Sequence, residues 1–351
     1  MTPDKDFWAG QRVLLTGHTG FKGTWLALWL ERMGATVVGL SLQPNTDPSI
    51  FALTKPRLRS LIGDIRDPSV VADAVAAARP TIAVHMAAQP LVRYSYREPI
   101  ETIATNVMGT ANVLQALRGQ ADLRAVLVIT TDKVYANSDS GQSFAEDARL
   151  GGHDPYSASK AAAEIIAASF AESFFGDGAA PVATARAGNV VGGGDWAEDR
   201  LIPDLWRARF TETPVILRNP KATRPWEHVL DLLSGYLAYV EHLASGPENV
   251  PRALNFGPAK DDSRTVAEVA DAVLRGLGSD LGWRLAEGFQ PKEMQLLSLD
   301  ASLAAETLGW RPILPGLDAI AWAVEWYSAF DQGEDPRALC MDQLARYEAL
   351  S

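Results

Sequence analysis

The sequence predicts an α/β fold: a doubly wound parallel sheet completed by a smaller, mostly C-terminal lobe. Three observations predict it. Short apolar runs alternate with helical segments through the first half of the chain. A glycine-rich turn directly follows the first of those runs. After Gly188 the alternation gives way to an irregular stretch punctuated by Pro203, Pro214, Pro220 and Pro225.

Taken in order, Arg12-Val13-Leu14-Leu15-Thr16 reads as a buried strand. The turn Gly17-His18-Thr19-Gly20-Phe21-Lys22-Gly23 leads from it into an apolar helix at 24–33. A strand at 36–40, a short one ending near Ile62, a helix at 68–78 opened by Pro68 and a strand at 82–86 follow. A long helix over 99–118 leads to the apolar run Ala125–Ile129, and a helix from Tyr156 to about Phe175 precedes a strand at 182–187. Strands separated by helices pair in parallel through right-handed crossovers, and ligands then sit beyond their carboxyl ends. Gly17, Ala87, Thr130 and Ala187 all fall there. In the second half we expect a strand at 215–217, helices at 230–243, 265–277 and 317–330, and a strand at 253–256. The expected division is a dinucleotide-binding domain over 7–188 and a mainly substrate-binding lobe over 189–351, with the chain crossing back to the first.

Composition excludes several classes. Residues 1–6 are charged and lack the apolar core of a signal peptide, and no apolar run is long enough to span a membrane. A single cysteine, Cys340, excludes an internal disulfide and a cysteine-based metal cluster. A formal net charge of −11 argues against a nucleic-acid partner. No metal is expected, and a cytoplasmic setting is the simplest reading.

Each glycine of the turn has a mechanical role: Gly17 for tight turning, Gly20 for approach of a pyrophosphate, Gly23 for close packing of helix on strand. The helix N-terminus offers N–H groups to the phosphates. No acid or arginine stands at the end of the second strand, where Leu40-Ser41-Leu42 is found, so NAD and NADP stay open. Asp64 reads equally as an acceptor for an adenine amino group or as a helix cap before Pro68. Tyr156 and Lys160 lie one helical turn apart, a spacing suited to taking a proton from an alcohol. An ammonium there lowers a phenol below its usual value of roughly 10. Thr130-Thr131-Asp132-Lys133, at a strand end, adds an acid and an amine that alcohol oxidation does not need. The alternative for Thr131-Asp132 is a turn cap, and for Lys133 a solvated surface lysine. His85 reads as a core residue and His18 as a group ordering the glycine turn.

The turn at 17–23, Asp64-Ile65, Ala87-Ala88, Asn106, the strand-end threonine and Tyr156-x-x-x-Lys160 resemble the extended short-chain dehydrogenase/reductase superfamily, with its Rossmann-like fold. Longer stretches narrow this: 17–26, Ala87-Ala88-Gln89-Pro90-Leu91-Val92-Arg93, Thr131-Asp132-Lys133, Gly188 to Trp196, and Arg224-Pro225-Trp226-Glu227-His228-Val229. Together they resemble the CDP-glucose 4,6-dehydratases.

That resemblance implies a tightly held nicotinamide cofactor, NAD with NADP not excluded. Its contacts would be Gly17, Thr19, Gly20, Phe21, Lys22, Gly23, Asp64, Ile65, Ala87, Ala88, Asn106, Thr130, Tyr156 and Lys160. It implies that Tyr156 takes the sugar 4-hydroxyl proton, Lys160 holds the nicotinamide ribose and Thr131 bonds the 4-oxygen. Asp132 then protonates the departing 6-hydroxyl and Lys133 takes the C5 proton. Arg93, Asn189, Arg200, Leu201, Arg218, Arg224 and His228 are the implied contacts of a nucleotide-sugar substrate, and the helices at 99–118 and 155–175 imply a homodimer. A nucleotide-sugar 4-epimerase, which keeps the Tyr-Lys pair, and a UDP-N-acetylglucosamine 4,6-dehydratase, which also uses an Asp-Lys pair, are the alternatives.

Overall fold

The structure, a computed structural model, describes residues 2–139, 141–176, 179–246, 250–259, 262–288 and 297–350. Seven strands form the central sheet: β1 (Arg12–Thr16), β2 (Thr36–Ser41), β3 (Arg59–Ile62), β4 (Ile82–His85), β5 (Ala125–Ile129), β6 (Val182–Ala187) and β7 (Ala253–Phe256). Their order is β7-β6-β5-β4-β1-β2-β3, and every pairing is parallel. The order reverses between β1 and β4, which places the ligand crevice of a doubly wound sheet beside the glycine turn. Strands β1, β4, β5 and β6 are buried almost throughout, as expected for parallel strands covered by helices on both faces.

Local chemistry explains the element ends. The helix Pro68–Ala78 has Asp67 as its N-cap, accepting from Ser69 N, with proline in the first turn. Asp154 caps the helix Pro155–Phe174 by accepting from the backbone and hydroxyl of Ser157. The helix after the glycine turn, Phe21–Arg32, starts three residues earlier than the sequence suggested. The single long helix expected over 99–118 is three pieces: α-helix Pro99–Ile103, a π-helical segment Ala104–Met108 and α-helix Gly109–Leu117.

One core lies between the sheet and the second half of the chain. It gathers Trp25 and Trp29 of the first long helix, Tyr236 and Tyr239 of helix Val229–Ala244, and Trp310 and Trp326. A second core sits under helices Pro68–Ala78, Gly109–Leu117 and Pro155–Phe174, and a small third one gathers Val134, Tyr135, Phe144 and Leu299. β7 belongs to the central sheet through its pairing with β6, although it comes from the second half of the chain. Small ribbons frame the lobe beyond the sheet: Asn189–Val191 with Trp226–His228, Thr223–Arg224 with Arg264–Thr265, and Val215–Leu217 with Trp283–Leu285. Among the described residues, no helix is long and apolar enough to cross a membrane, and no group of His, Cys, Asp or Glu is arranged to hold a metal ion.

Candidate active site

The glycine turn is steric in origin. Gly17 has φ +80°, and a Cβ there would stand 2.7 Å from Ala87 N. A Cβ on Gly23 would stand 2.1 Å from Gly17 O, so the helix can lie on the turn only with glycine. Gly20 is the N-cap and makes no side-chain cap bond, and the first turn of the helix carries no acid. Its N–H groups and partial positive charge are therefore arranged for an anion, and these residues fit a dinucleotide pyrophosphate. Thr19 Oγ1 is 2.7 Å from Ser41 Oγ and donates to Leu42 O, tying the turn to the end of β2. His18 is buried with Nε2 2.7 Å from Ser60 Oγ and its ring edge-on to Phe51, and burial lowers its pKa to about 4. It orders the turn. His85 is bonded on both nitrogens, to Thr16 and Thr110, as a core histidine should be.

Beyond the end of β5, Thr131-Asp132-Lys133 turns back over the start of helix Pro155–Phe174. Thr131 Oγ1 donates to Asp132 Oδ1 at 2.9 Å, and Lys133 Nζ lies 3.2 Å from the same oxygen. The Asp132 side chain is buried, and its Oδ2 has no hydrogen-bond partner. Lys133 is neither a fully solvated lysine nor a buried one. Tyr156 bonds Thr131 through its phenol.

The phenol does not behave as the Tyr-x-x-x-Lys spacing suggests. Burial pushes Tyr156 up to about 12, against the hydrogen bond with Thr131 and the positive charge of Arg200. Lys160 gives its ammonium to Ile129 O at 2.9 Å instead. Burial, then repulsion by Lys22, lowers Lys160 to about 7, while Glu164 pulls the other way.

A buried network holds these groups in place. Glu164, one turn beyond Lys160, accepts from Thr130 Oγ1, from Thr184 Oγ1 and from Arg186, the ion pair being 2.8 Å and almost fully buried. Arg186 also donates to the Tyr135 hydroxyl, which donates to Asn255 Oδ1 on β7. The strand-end threonine and the residue two after Lys133 are thus anchored to one carboxylate–guanidinium pair. Asn106, in the π-helical segment, accepts from Gln89 N and donates to Gln89 O and to Ser159 Oγ. It joins the loop after β4 to the Tyr156 helix, and π segments of this kind are frequent at functional sites.

A cleft of about 330 Å³ is lined by Lys22, Thr130, Thr131, Lys133 and Tyr156 on the sheet side. Arg93, Asn189, Arg200, Leu201, Arg218 and Arg224 line it from the lobe side. Asp195 holds Arg200 at 2.7 Å, and Asp199 lies 3.2 Å from Arg93 and 3.8 Å from Arg218. The cations are thus gathered at one place in an acidic protein. His228 is elsewhere: fully buried, it caps helix Val229–Ala244 by accepting from Leu230 N and faces Trp322. Asp64 is engaged by Arg66 through backbone and side chain, which lowers its pKa, and Asp67 rather than Asp64 caps the helix at Pro68. Ile65 is buried against Gly109, while Ala87 and Ala88 follow β4 beside Gly17.

Comparison with known proteins now bears on this arrangement. Residues 13–257 match the NAD dependent epimerase/dehydratase family. The chain belongs to that family. It is 44% identical over 339 residues to the CDP-glucose 4,6-dehydratase of Salmonella typhimurium, covering 95% of this chain and 94% of that one. Among solved structures, the dTDP-glucose 4,6-dehydratase of Streptomyces venezuelae, with NAD and TYD bound, superposes with TM-score 0.78 at 26% identity over 93% of this chain and 99% of that one. An epimerase of Methanothermobacter thermautotrophicus has TM-score 0.81 at 21% identity over 93% and 95% of the two chains, a likeness of fold.

Proposed function

We propose that this chain is a CDP-glucose 4,6-dehydratase, converting CDP-glucose to CDP-4-keto-6-deoxy-D-glucose with NAD as a cofactor that is regenerated in each turnover. The observation that carries the reading is that one member of the Tyr156–Lys160 pair and one of the Asp132–Lys133 pair, Tyr156 and Lys133, line one cleft with Thr131, which bonds both Tyr156 and Asp132. A 4-epimerase has no use for the second pair. The relative at 44% identity over nearly the full chain supports the nucleotide and the sugar.

Bound NAD would supply a hydride acceptor for C4 and a hydride donor for C6. The remaining work falls to the chain. Tyr156 takes the 4-hydroxyl proton, with Thr131 bonding the 4-oxygen. The 4-ketone acidifies the C5–H bond. Lys133 takes that proton, the C–H pair becomes the C5=C6 bond, and the C6–O pair leaves as water with a proton from Asp132. Proton return to C5 from Lys133 accompanies the hydride at C6. Tyr156 has then gained a proton that Asp132 has lost, and Thr131, bonded to both, connects them. Arg93, Arg200, Arg218 and Arg224 supply the planar donors a pyrophosphate requires. Gly17, Thr19, Gly20, Phe21 and Gly23 hold the cofactor phosphates, and Lys160 its nicotinamide ribose.

The test is incubation of purified protein with CDP-, dTDP-, UDP- and GDP-glucose. A 4-keto product mainly from CDP-glucose, without net NADH, is expected. Stoichiometric NADH release or product from another nucleotide alone overturns the assignment.

A twofold dimer belongs to the same reading. Ile100, Met108, Ile165 and Phe174 are 77%, 55%, 58% and 44% exposed along helices Pro99–Ile103 to Pro155–Phe174, an apolar face suited to a second copy. Light scattering should give a dimer for the parent and a monomer for the Ile100→Lys, Ile165→Lys variant.

A further inference from the structure

Glu227 is the least expected charge in the molecule. It is 1% exposed, and neither carboxyl oxygen has a hydrogen-bond partner. A buried carboxyl in that condition is costly and calls for a reason. It sits at the middle of the strand Trp226–His228, paired with Val190 of Asn189–Val191. Side chains alternate along a strand. Trp226 donates to Arg264 O and His228 meets Trp322, so Glu227 points the other way from both. The charged groups near it are Lys22 and Asp231, and the unpartnered phenol of Tyr236 is the third neighbour.

Lys22 connects this carboxyl to the chemistry. The cofactor turn carries it, yet it lines the cleft with Thr131, Tyr156, Asp195 and Arg200. Its charged surroundings are Arg200, Asp132, Glu227 and Asp195, and its own charge is felt at Lys160. Asp132 Oδ1 is used by Thr131 and Lys133, whereas Oδ2 is buried and unpartnered.

Resting on the function proposed above, we propose that Lys22 and Glu227 act together in the elimination step: Lys22 is the cation that stabilises the Asp132 carboxylate once its proton has left with the 6-hydroxyl, and Glu227, which makes no hydrogen bond to it, is the positioning residue whose buried carboxyl attracts the Lys22 ammonium at longer range. When Asp132 gives its proton to the 6-oxygen and Lys133 takes one from C5, a carboxylate and an ammonium form in a place with little water. A second ammonium favours that carboxylate most in such surroundings. Lys22 is itself lowered to about 8, by burial first and Arg200 second, with Asp132, Glu227 and Asp195 opposing. Burial raises Glu227 well above ordinary carboxyl values, and Lys22 restrains the rise. The ammonium is therefore present below about pH 8 and is lost as pH rises through that value.

The experiment compares parent, Lys22→Met, Lys22→Arg and Glu227→Gln in three measurements: NAD binding by quenching of tryptophan fluorescence, single-turnover oxidation with CDP-glucose followed as bound NADH, and water loss followed as 4-keto product. Lys22→Met should bind NAD and form bound NADH, yet lose water about 10-fold or more slowly. The alkaline fall of water loss near pH 8 should vanish in Lys22→Arg and move to lower pH in Glu227→Gln. If Lys22→Met weakens only NAD binding and the saturated enzyme loses water at the parent rate, Lys22 is a cofactor contact and the proposal is wrong. An alkaline limb that stays put in both other variants also overturns it. A parent that makes no 4-keto product at all overturns the proposed function instead, and this pairing with it.

Discussion

Lys160 gives its ammonium to the carbonyl of Ile129, 2.9 Å away at the end of β5, and not to the phenol of Tyr156 one turn above it. The lysine thereby ties the catalytic helix to the strand that ends in Thr130 and Thr131. Its position has an electrostatic cost: burial and Lys22 lower Lys160 to about 7, far below its unfolded value near 10.4.

The sign of that cost can be worked out. A lysine lowered in the folded state binds fewer protons there than when unfolded, so stability rises with pH between about 7 and about 10.4. Below about 7 the full penalty is present. Lys160→Met should therefore gain about 1–3 kcal/mol of stability at pH 6. That advantage should shrink toward pH 10 while catalysis is lost throughout. Thermal melts of both proteins across this range check the outcome, and an advantage that grows with pH contradicts it.

Tyr156→Phe removes the proton acceptor and leaves the helix cap at Asp154 and the bond from Tyr156 N to Ser95 Oγ intact. Formation of bound NADH should fall about 10²–10⁴-fold with CDP-glucose. Melting should be little changed, because the phenol brings to its burial a single side-chain hydrogen bond, the one with Thr131.

Glu164 and Arg186 form an ion pair too buried to break from one side. Arg186→Met leaves the carboxylate of Glu164 with only the hydroxyls of Thr130 and Thr184, and should cost about 3–5 kcal/mol. Replacing both members with apolar residues should cost clearly less than the sum of the single changes. Urea unfolding of the two single variants and the double variant measures the difference. Strict additivity would mean that the pair is not coupled.

Much of the sheet was legible because buried parallel strands leave continuous apolar runs, as in Ala125–Ile129, and because Pro68 and Pro155 mark helix starts. The crevice followed from topology: Gly17, Ala87 and Thr130 come directly after or close behind strands of one sheet, and Ala187 ends another strand of it. What stayed hidden depends on side-chain reach and facing. A π-helical segment of five residues around Asn106 is about one turn, too short to show a period of its own in the sequence. Lys22 belongs by resemblance to the cofactor contacts of the glycine turn, and its place in the cleft with Asp195 and Arg200 is set by the fold and not by the turn's spacing. Glu227 and His228 are adjacent on a three-residue strand, too short for alternation to tell which of them looks toward the site. Histidine attracted the site reading, yet neither residue lines the cleft, and the glutamate is the one with Lys22 among its charged neighbours. The depressed tyrosine expected from its lysine is likewise not found, because spacing says nothing about the burial that raises the phenol or about the carbonyl at the end of β5 that takes the ammonium.

The separation of oxidation from elimination gives the decisive prediction for the site as a whole. Asp132→Asn with Lys133→Met keeps Tyr156, Lys160 and the glycine turn, so C4 can still be oxidised. It removes the proton donor for the 6-oxygen and the acceptor for the C5 proton. Bound NADH should then build up on mixing with CDP-glucose and decay slowly, with 4-keto-6-deoxy product reduced about 10²-fold or more. Lys133→Met alone should suppress exchange of the C5 hydrogen with solvent deuterium, which Asp132→Asn alone should leave in place. Thr131 is the internal control, because its bond to Tyr156 involves neither substituted side chain. Its other bond, to Asp132 Oδ1, also keeps an acceptor after Asp132→Asn when the new amide turns its oxygen toward the threonine hydroxyl. Product formed by the double variant at the parent rate would make the Asp132–Lys133 turn structural. The Tyr156 assignment would survive that result, and elimination at this site would not.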